Sequence, residues 1–208
     1  PRWRGGVITV LAGDDALHAD GAVTVQGGAL TVDAHEGLEG ETVAVSGGVL
    51  SLVADDDGVN AGSKKANALR ITGGVVSIFS QGDCLDANGG MAVTGGELTL
   101  YSAAQNPEDG ILDSKGELVL TGGTVLAAGA AGTQMGFGET SSQGSVLAAL
   151  EQEVPAGTAV VLTDESGAEV ARFTPEEAFS VVLVSVPGMA PGKTYTLTVG
   201  DQVVTVTA

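Results

Sequence analysis

The sequence predicts an all-β protein: a parallel β-helix of about five coils over residues 1–139, followed by a small antiparallel β module over residues 140–208. Three observations predict it. Paired glycines recur inside β-like runs. The second glycine of each pair is Gly28, Gly48, Gly74, Gly96 and Gly123, so the coils step by 20, 26, 22 and 27 residues. Around every pair, apolar residues alternate with Thr or Ser, as in Thr42-Val-Ala-Val-Ser-Gly-Gly-Val-Leu-Ser-Leu52. Alternation of period two marks a strand with one buried face. A repeat of roughly 22 residues holding two or three short strands is the size of one β-helix coil, and no window longer than one turn fits a helix.

Taken in order, Gly5-Gly6 opens a partial copy, and residues 6–12 already carry the coil pattern. The chain starts at Pro1 rather than a Met, so a processed or trimmed N-terminus is expected, and because the coil pattern at residues 6–12 has no cover ahead of it, earlier coils are expected in the natural protein. Full coils follow around residues 22–32, 42–52, 68–78, 92–100 and 117–127. The glycine pairs supply the backbone angles that sharp bends need. Two coils are longer, with insertions at 62–67 and 103–108, and solenoid insertions bulge from the side. The stretch 132–145 is polar and glycine-rich and reads as a connector or loose loop. Beyond it come strand-like runs at 145–150, 157–163, 169–174, 179–186, 194–199 and 202–207, with hairpin turns at 164–167 and 200–201. Their expected role is to cover the last coil, whose strand edges would otherwise stay unpaired.

Composition narrows the partners. With 26 acidic against 8 basic residues the net charge is -18. Nucleic acid and anionic membrane surfaces both need a basic face, so neither is expected, and cations are the natural partners. No apolar run approaches the length of a membrane span, and a monomer is expected. Aromatics are only 3% of the chain, so the core must be stacked Val, Leu, Ile and Ala. Cys84 is the single cysteine; no intrachain disulfide can form, and a buried, inert thiol is expected.

The acids are not scattered. A short loop recurs as Asp14-Asp15-Ala16-Leu17-His18, His35-Glu36-Gly37-Leu38-Glu39, Asp56-Asp57-Gly58-Val59-Asn60, Gly82-Asp83-Cys84-Leu85-Asp86 and Asp109-Gly110-Ile111-Leu112-Asp113. Stacked rung on rung, these loops draw three columns. The first is Asp14, His35, Asp56, Gly82 and Asp109; the second is Asp15, Glu36, Asp57, Asp83 and Gly110; the third is His18, Glu39, Asn60, Asp86 and Asp113. Asp20 and Asp55 lie just outside, and the ligands are densest over the first four rungs. Carboxylates stacked at the roughly 4.8 Å rung spacing repel. Two oxygens on opposite sides of one calcium ion lie at roughly the same separation, so Ca2+ between rungs would turn repulsion into a cross-link. Zinc would want His and Cys, which are nearly missing. The candidate metal ligands are therefore Asp14, Asp15, Asp20, Glu36, Glu39, Asp55, Asp56, Asp57, Asn60, Asp83, Asp86, Asp109 and Asp113. The bland alternative is that Asp, Asn and Gly simply form turns. His18 and His35 read as polar loop side chains. Lys64 and Lys65, on the first insertion, are the candidate contacts to a substrate.

At these rungs the chain resembles the bacterial carbohydrate-binding β-helix proteins that bind cellulose and acidic sugars and look like pectate lyases. The resemblance runs through residues 14–21, 35–40, 55–61, 82–89 and 110–113, and through the tail segments 173–179 and 192–200. It implies a right-handed parallel β-helix, calcium in the acidic loops, an extracellular or cell-surface location, and polysaccharide binding without clear catalysis. Cys84 and Ala16 replace the usual glycine. The expectation is thus a calcium-dependent extracellular binder of polysaccharide, of acidic sugars such as polygalacturonate first and of cellulose second. Its rivals are a calcium-assisted polysaccharide lyase with a lysine base, and a purely structural surface repeat.

Overall fold

In a computed structural model describing residues 1–130, 132 and 135–208, the chain is all β, with no helix among the described residues. The strands are β1 (Arg2–Trp3), β2 (Val7–Leu11), β3 (Leu17–Ala34), β4 (Leu38–Ala54), β5 (Val59–Ala61), β6 (Leu69–Ser80), β7 (Leu85–Ala87) and β8 (Met91–Ser102). They continue as β9 (Leu112–Ser114), β10 (Leu118–Gly129), β11 (Val146–Val154), β12 (Val160–Thr163), β13 (Glu169–Phe173), β14 (Phe179–Ser185), β15 (Thr194–Val199) and β16 (Gln202–Thr207). Parallel pairing of β1 and β2 with β3, and then of β3, β4, β6, β8 and β10 in turn, builds a solenoid of about five turns.

The repeat puts like residues on like. One core ladder is Val23, Val43, Leu69, Met91 and Leu118; a second is Leu30, Leu50, Val76, Leu98 and Val125. All of these side chains are buried. An interior of stacked aliphatics needs no aromatic filler, which explains how so aromatic-poor a chain closes a core.

The glycine pairs stack as well. Gly28, Gly48, Gly74, Gly96 and Gly123 all have φ between +85° and +101°, a region that side chains other than hydrogen avoid. Their preceding partners are held by space: a Cβ on Gly47 would lie 2.9 Å from the Gln26 carbonyl oxygen, and one on Gly95 2.7 Å from that of Thr72. Two turn-forming glycines per coil are thus required by the close approach of the rung below.

The tail divides between two sheets. β14 pairs antiparallel with β10 of the last coil, and β11 pairs on β14, so both strands extend the twelve-stranded main sheet. The other four tail strands form a separate antiparallel sheet in the order β13, β12, β15, β16. β14 is the seam. Val181 and Leu183 join the solenoid core, while Val182 and Val184 join a second core with Phe179, Leu162 and Leu197. The sequence reading put all the tail strands in one module; two of them are instead grafted onto the solenoid.

The connector, of which Thr133 and Gln134 lie outside the described residues, is not loose where it is described. Gly138 N–H donates to the Leu118 carbonyl at 2.7 Å. The buried Gln143 side chain donates to the Gly123 carbonyl and to the Ser185 hydroxyl, each at 2.8 Å. Among the described residues, no helix is long and apolar enough to cross a membrane.

Candidate functional site

The acidic loops sit at one corner of the solenoid, and strand pairing fixes their register. Leu17, Leu38, Val59, Leu85 and Leu112 stack, and directly after them stack His18, Glu39, Asn60, Asp86 and Asp113. The aliphatic residue of each loop points into the core. The polar residue that follows it therefore points outward, because side chains alternate along a strand. The third column read from the sequence is thus present in full.

The second column has a structural task that spacing alone does not reveal. Asp57 Oδ1 accepts the Asp83 N–H at 2.8 Å, and Asp83 Oδ1 accepts the Gly110 N–H at 2.6 Å. Each of these carboxylates ties its own loop to the next. Gly82 leaves room for this: a Cβ there would lie 2.6 Å from Asp57 Oδ1 and 2.8 Å from Asp56 Oδ1. The first column is continuous from Asp14 through His35 and Asp56 to Gly82, each N–H donating to the carbonyl of the loop below. Asp109 departs from it, donating its N–H to the Asn106 carbonyl while its Oδ1 accepts from the Asn106 amide at 3.2 Å.

Two clusters bring ligand atoms within 4.8 Å of one another: Asp83 with Asp86 and Asp113, and Asp15 with His18 and Glu39. The first is made of carboxylates alone and spans the fourth and fifth rungs, one rung beyond the region read as densest. Asp83 is buried, and one oxygen of Asp86, Oδ1, is buried without a hydrogen-bond partner among the described residues. In the second cluster His18 Nδ1 lies 3.0 Å from Asp15 Oδ2 and is hydrogen-bonded to Glu39. That bond to Glu39 holds the His18 pKa above its ordinary value. His18, read from sequence as a plain loop residue, is therefore part of an acidic cluster; its place in the third column was the available signal.

Between the clusters, Glu36 Oε1 accepts from the Asn60 amide at 3.5 Å, and Glu36 Oε2 is buried without a partner. Asp56 lies 3.9 Å from His35 Nε2. Asp14, Asp55 and Asp20 are exposed at the margin, with Asp20 3.8 Å from His18 Nε2. The structure does not gather Asp14, Asp20, Asp55, Asp56 or Asp109 into either cluster.

Crowding is written into the acidities. Burial, and then neighbouring acids, push the carboxyls of Glu36 and Asp57 up to about 7. Burial pushes Asp83 up to about 8 against the opposing pull of the Gly110 N–H. Asp86 is raised by burial and by Asp113, with Lys115 opposing. An all-oxygen donor set with an orphaned buried carboxylate oxygen fits a hard cation such as Ca2+. The imidazole of the Asp15–His18–Glu39 cluster suits calcium less well.

Lys64 and Lys65 are exposed on the insertion, whose backbone packs on the next coil: the Gly90 N–H donates to the Lys65 carbonyl at 2.8 Å. Among the described residues neither lysine forms an ion pair. Lys115, whose ammonium donates to Asn88 at 2.6 Å, is the cation whose charge reaches Asp86. Cys84 is fully buried, accepts the Ser80 hydroxyl at 3.4 Å, and has its pKa pushed by burial up to about 12, so it is inert.

A parallel β-solenoid carrying a ribbon of stacked carboxylates on one corner is a repeat scaffold that sets like side chains in a line along its axis. Residues 4–168 match the family model described as carbohydrate-binding domain-containing protein, and the chain belongs to that family. No curated protein and no solved structure matches it.

Proposed function

We propose that this protein binds acidic polysaccharide outside the cell or at its surface, through calcium held in the stacked acidic loops, and without catalysis. The observation that carries the reading is the Asp83–Asp86–Asp113 cluster, three carboxylates offering ligand oxygens within 4.8 Å of one another, with Asp86 Oδ1 buried without a hydrogen-bond partner among the described residues. Three carboxylates brought together in this way are costly without a countercharge. Asp83, Asp86 and Asp113 would hold the ion, with Glu36, Asp57 and Asn60 extending the ribbon toward Asp15 and Glu39. Calcium bound there would neutralise the ribbon and offer open coordination positions to a sugar carboxylate.

The chain's own residues supply the rest. The Asp57 and Asp83 bonds to the next rung hold the loops at fixed separation. Core packing of Leu38, Val59, Leu85 and Leu112 keeps the third column pointing outward. The charge of -18 repels a polyuronate, so its binding needs a bridging cation. Lys64 and Lys65 are the supplementary contacts to the polymer.

The test is retention on polygalacturonate with calcium and with chelator, followed in parallel by ultraviolet absorbance for an unsaturated product. Retention in calcium that is lost in chelator, without product, is the expected result. Accumulating product would replace the binder by a lyase. Retention that survives the chelator would remove the calcium bridge. No retention in either condition would leave a structural repeat.

A further inference from the structure

The tail segment between β13 and β14 lies against the outer face of the main sheet, and a cleft of about 300 Å³ opens between them. Strand register supplies its floor. Phe79, Tyr101 and Ala128 follow one another across β6, β8 and β10, as do Ser77, Thr99 and Leu126. Because side chains alternate along a strand, these positions face away from the core ladder of Leu30 to Val125. The rings of Phe79 and Tyr101 stack, with centroids 5.5 Å apart and planes 13° apart. The Tyr101 hydroxyl donates to the Ala178 carbonyl, which holds that ring in place and ties the tail segment down. Phe173 adds a third aromatic, and Leu126, Ala128 and Pro175 complete an apolar wall. Glu176 and Glu177 stand in the same lining, and no Lys or Arg does among the described residues. Arg172, the nearest base along the chain, is paired with Glu169 at 2.6 Å. The field of nearby acids reaches the rings: burial first, then Glu177 and Glu153, hold the Tyr101 pKa above its ordinary value.

We propose that this cleft is a binding site for a small quaternary ammonium ion such as choline, its methylated head lodged against Phe79, Tyr101 and Phe173 and its charge faced by Glu176 and Glu177. The site is separate from the acidic corner and needs neither calcium nor a sugar. A ring face is the negative part of the aromatic quadrupole and attracts a cation, the more so where water is excluded. The aliphatic wall covers the methyl groups. A quaternary nitrogen has no N–H to satisfy, so an apolar wall costs it little, whereas a primary ammonium would give up water for too few acceptors. The two glutamates are exposed at the mouth, where they complement the charge without themselves being desolvated. An uncharged apolar ligand would make no use of them, and an anion would be repelled. The volume lies at the lower end of the ~300–1,000 Å³ usual for small-molecule sites, which suits a head group of this size. The net charge of -18 also steers cations toward the chain as a whole.

The experiment is calorimetric titration of the full chain with choline in chelator, set beside dimethylbutanol, a neutral isostere with carbon in place of the charged nitrogen. Wild type should bind choline, and bind dimethylbutanol at least about tenfold more weakly. Phe79→Leu keeps an apolar side chain but loses the ring, and should weaken choline binding about tenfold. Glu176→Gln combined with Glu177→Gln should weaken it about threefold and flatten its dependence on sodium chloride. Melting temperatures near that of wild type would show both variants folded; should Phe79→Leu unfold, the glutamine pair at its exposed positions still decides the matter. Saturating calcium should leave choline binding unchanged, because the cleft shares no residue with the acidic corner. No choline binding by wild type overturns the proposal. So does equal affinity for dimethylbutanol, which would make the cleft merely apolar. Displacement of choline by calcium overturns it too, since the cation would then sit among the stacked acids. Choline binding unchanged in the folded variants has the same consequence. Polygalacturonate retention is read separately, so the acidic-site reading stands or falls on its own result.

Discussion

Asp83 shows how much one side chain carries here. It is only 6% exposed, its Oδ1 holds the Gly110 N–H, and its carboxyl is still pushed up to about 8. Asp57 and Glu36 are pushed up to about 7. Unfolded, such groups titrate near their ordinary values of about 4. Between about pH 4 and pH 8 the folded, metal-free chain therefore holds more protons than the unfolded one. Where the native state holds the extra protons, stability falls as pH rises, by about 1.4 kcal/mol per proton per pH unit. In chelator the melting temperature should drop between pH 5 and pH 8, and calcium should restore most of the loss at pH 8; a flat profile would mean the acids are solvated. Asp83→Asn separates two roles. The amide oxygen can still accept the Gly110 N–H, so stability in chelator should hold or rise while calcium affinity falls at least about tenfold. As a control, Asp164 accepts from Ser166 and Ala168 within its own turn, so Asp164→Ala should loosen only that exposed turn and leave calcium titrations unchanged. Equal losses of calcium affinity in both variants would show the column to be misassigned.

At the scale of elements, the coil was readable because its period is strict. Gly74 sits at φ 101° with Gly48 below it, and Gly74→Ala should cost about 1–2 kcal/mol, measured by denaturant unfolding, with the effect concentrated in one coil. The Leu17-to-Leu112 ladder and the third column follow from the same strictness, since one residue of slippage would turn every aliphatic to solvent. The partner of a tail strand was less readable. Alternation tells which face of β14 is buried, not which sheet it joins. Yet the nearly unbroken apolar run of Phe179–Ser185 is what a strand covered on both faces requires. The hydrogen bonds that Asp57 and Asp83 accept from backbone N–H groups are not legible in the sequence, because a metal ligand and a loop staple use the same residue type at the same place. Lys64 and Lys65 were placed beside the acids by sequence distance, but the insertion folds onto the Gly89–Gly90 turn, and a side chain's direction there is not encoded by spacing. If they reach the polymer, replacing both with Ala should weaken polygalacturonate retention and leave calcium affinity unchanged; unaltered retention would assign the contact to other residues.

Over the whole molecule, the charge of -18 is concentrated by the repeat, and a solenoid's stability is a sum of rung-to-rung terms. Repulsion at the acidic corner therefore weakens each interface between coils rather than one local loop. Monovalent salt screens exposed charges over about 8 Å at physiological strength, but it reaches poorly into a corner where Asp83 and the Asp86 Oδ1 are buried. A specifically bound divalent cation should consequently do what salt cannot. At free calcium 100-fold above its dissociation constant, one site adds about 2.7 kcal/mol. For a chain of 208 residues each kcal/mol raises the melting temperature by about 2–4 °C. The expected rise on moving from chelator to saturating calcium is thus about 5–11 °C per site, with sodium chloride at matched ionic strength giving much less. Magnesium should also give less, because it demands shorter bonds and a stricter octahedron than carboxylates held at the rung spacing provide. A melting curve that moves equally with all three salts would show that the carboxylates act only as diffuse charge, and the metal reading of the acidic corner would then fall.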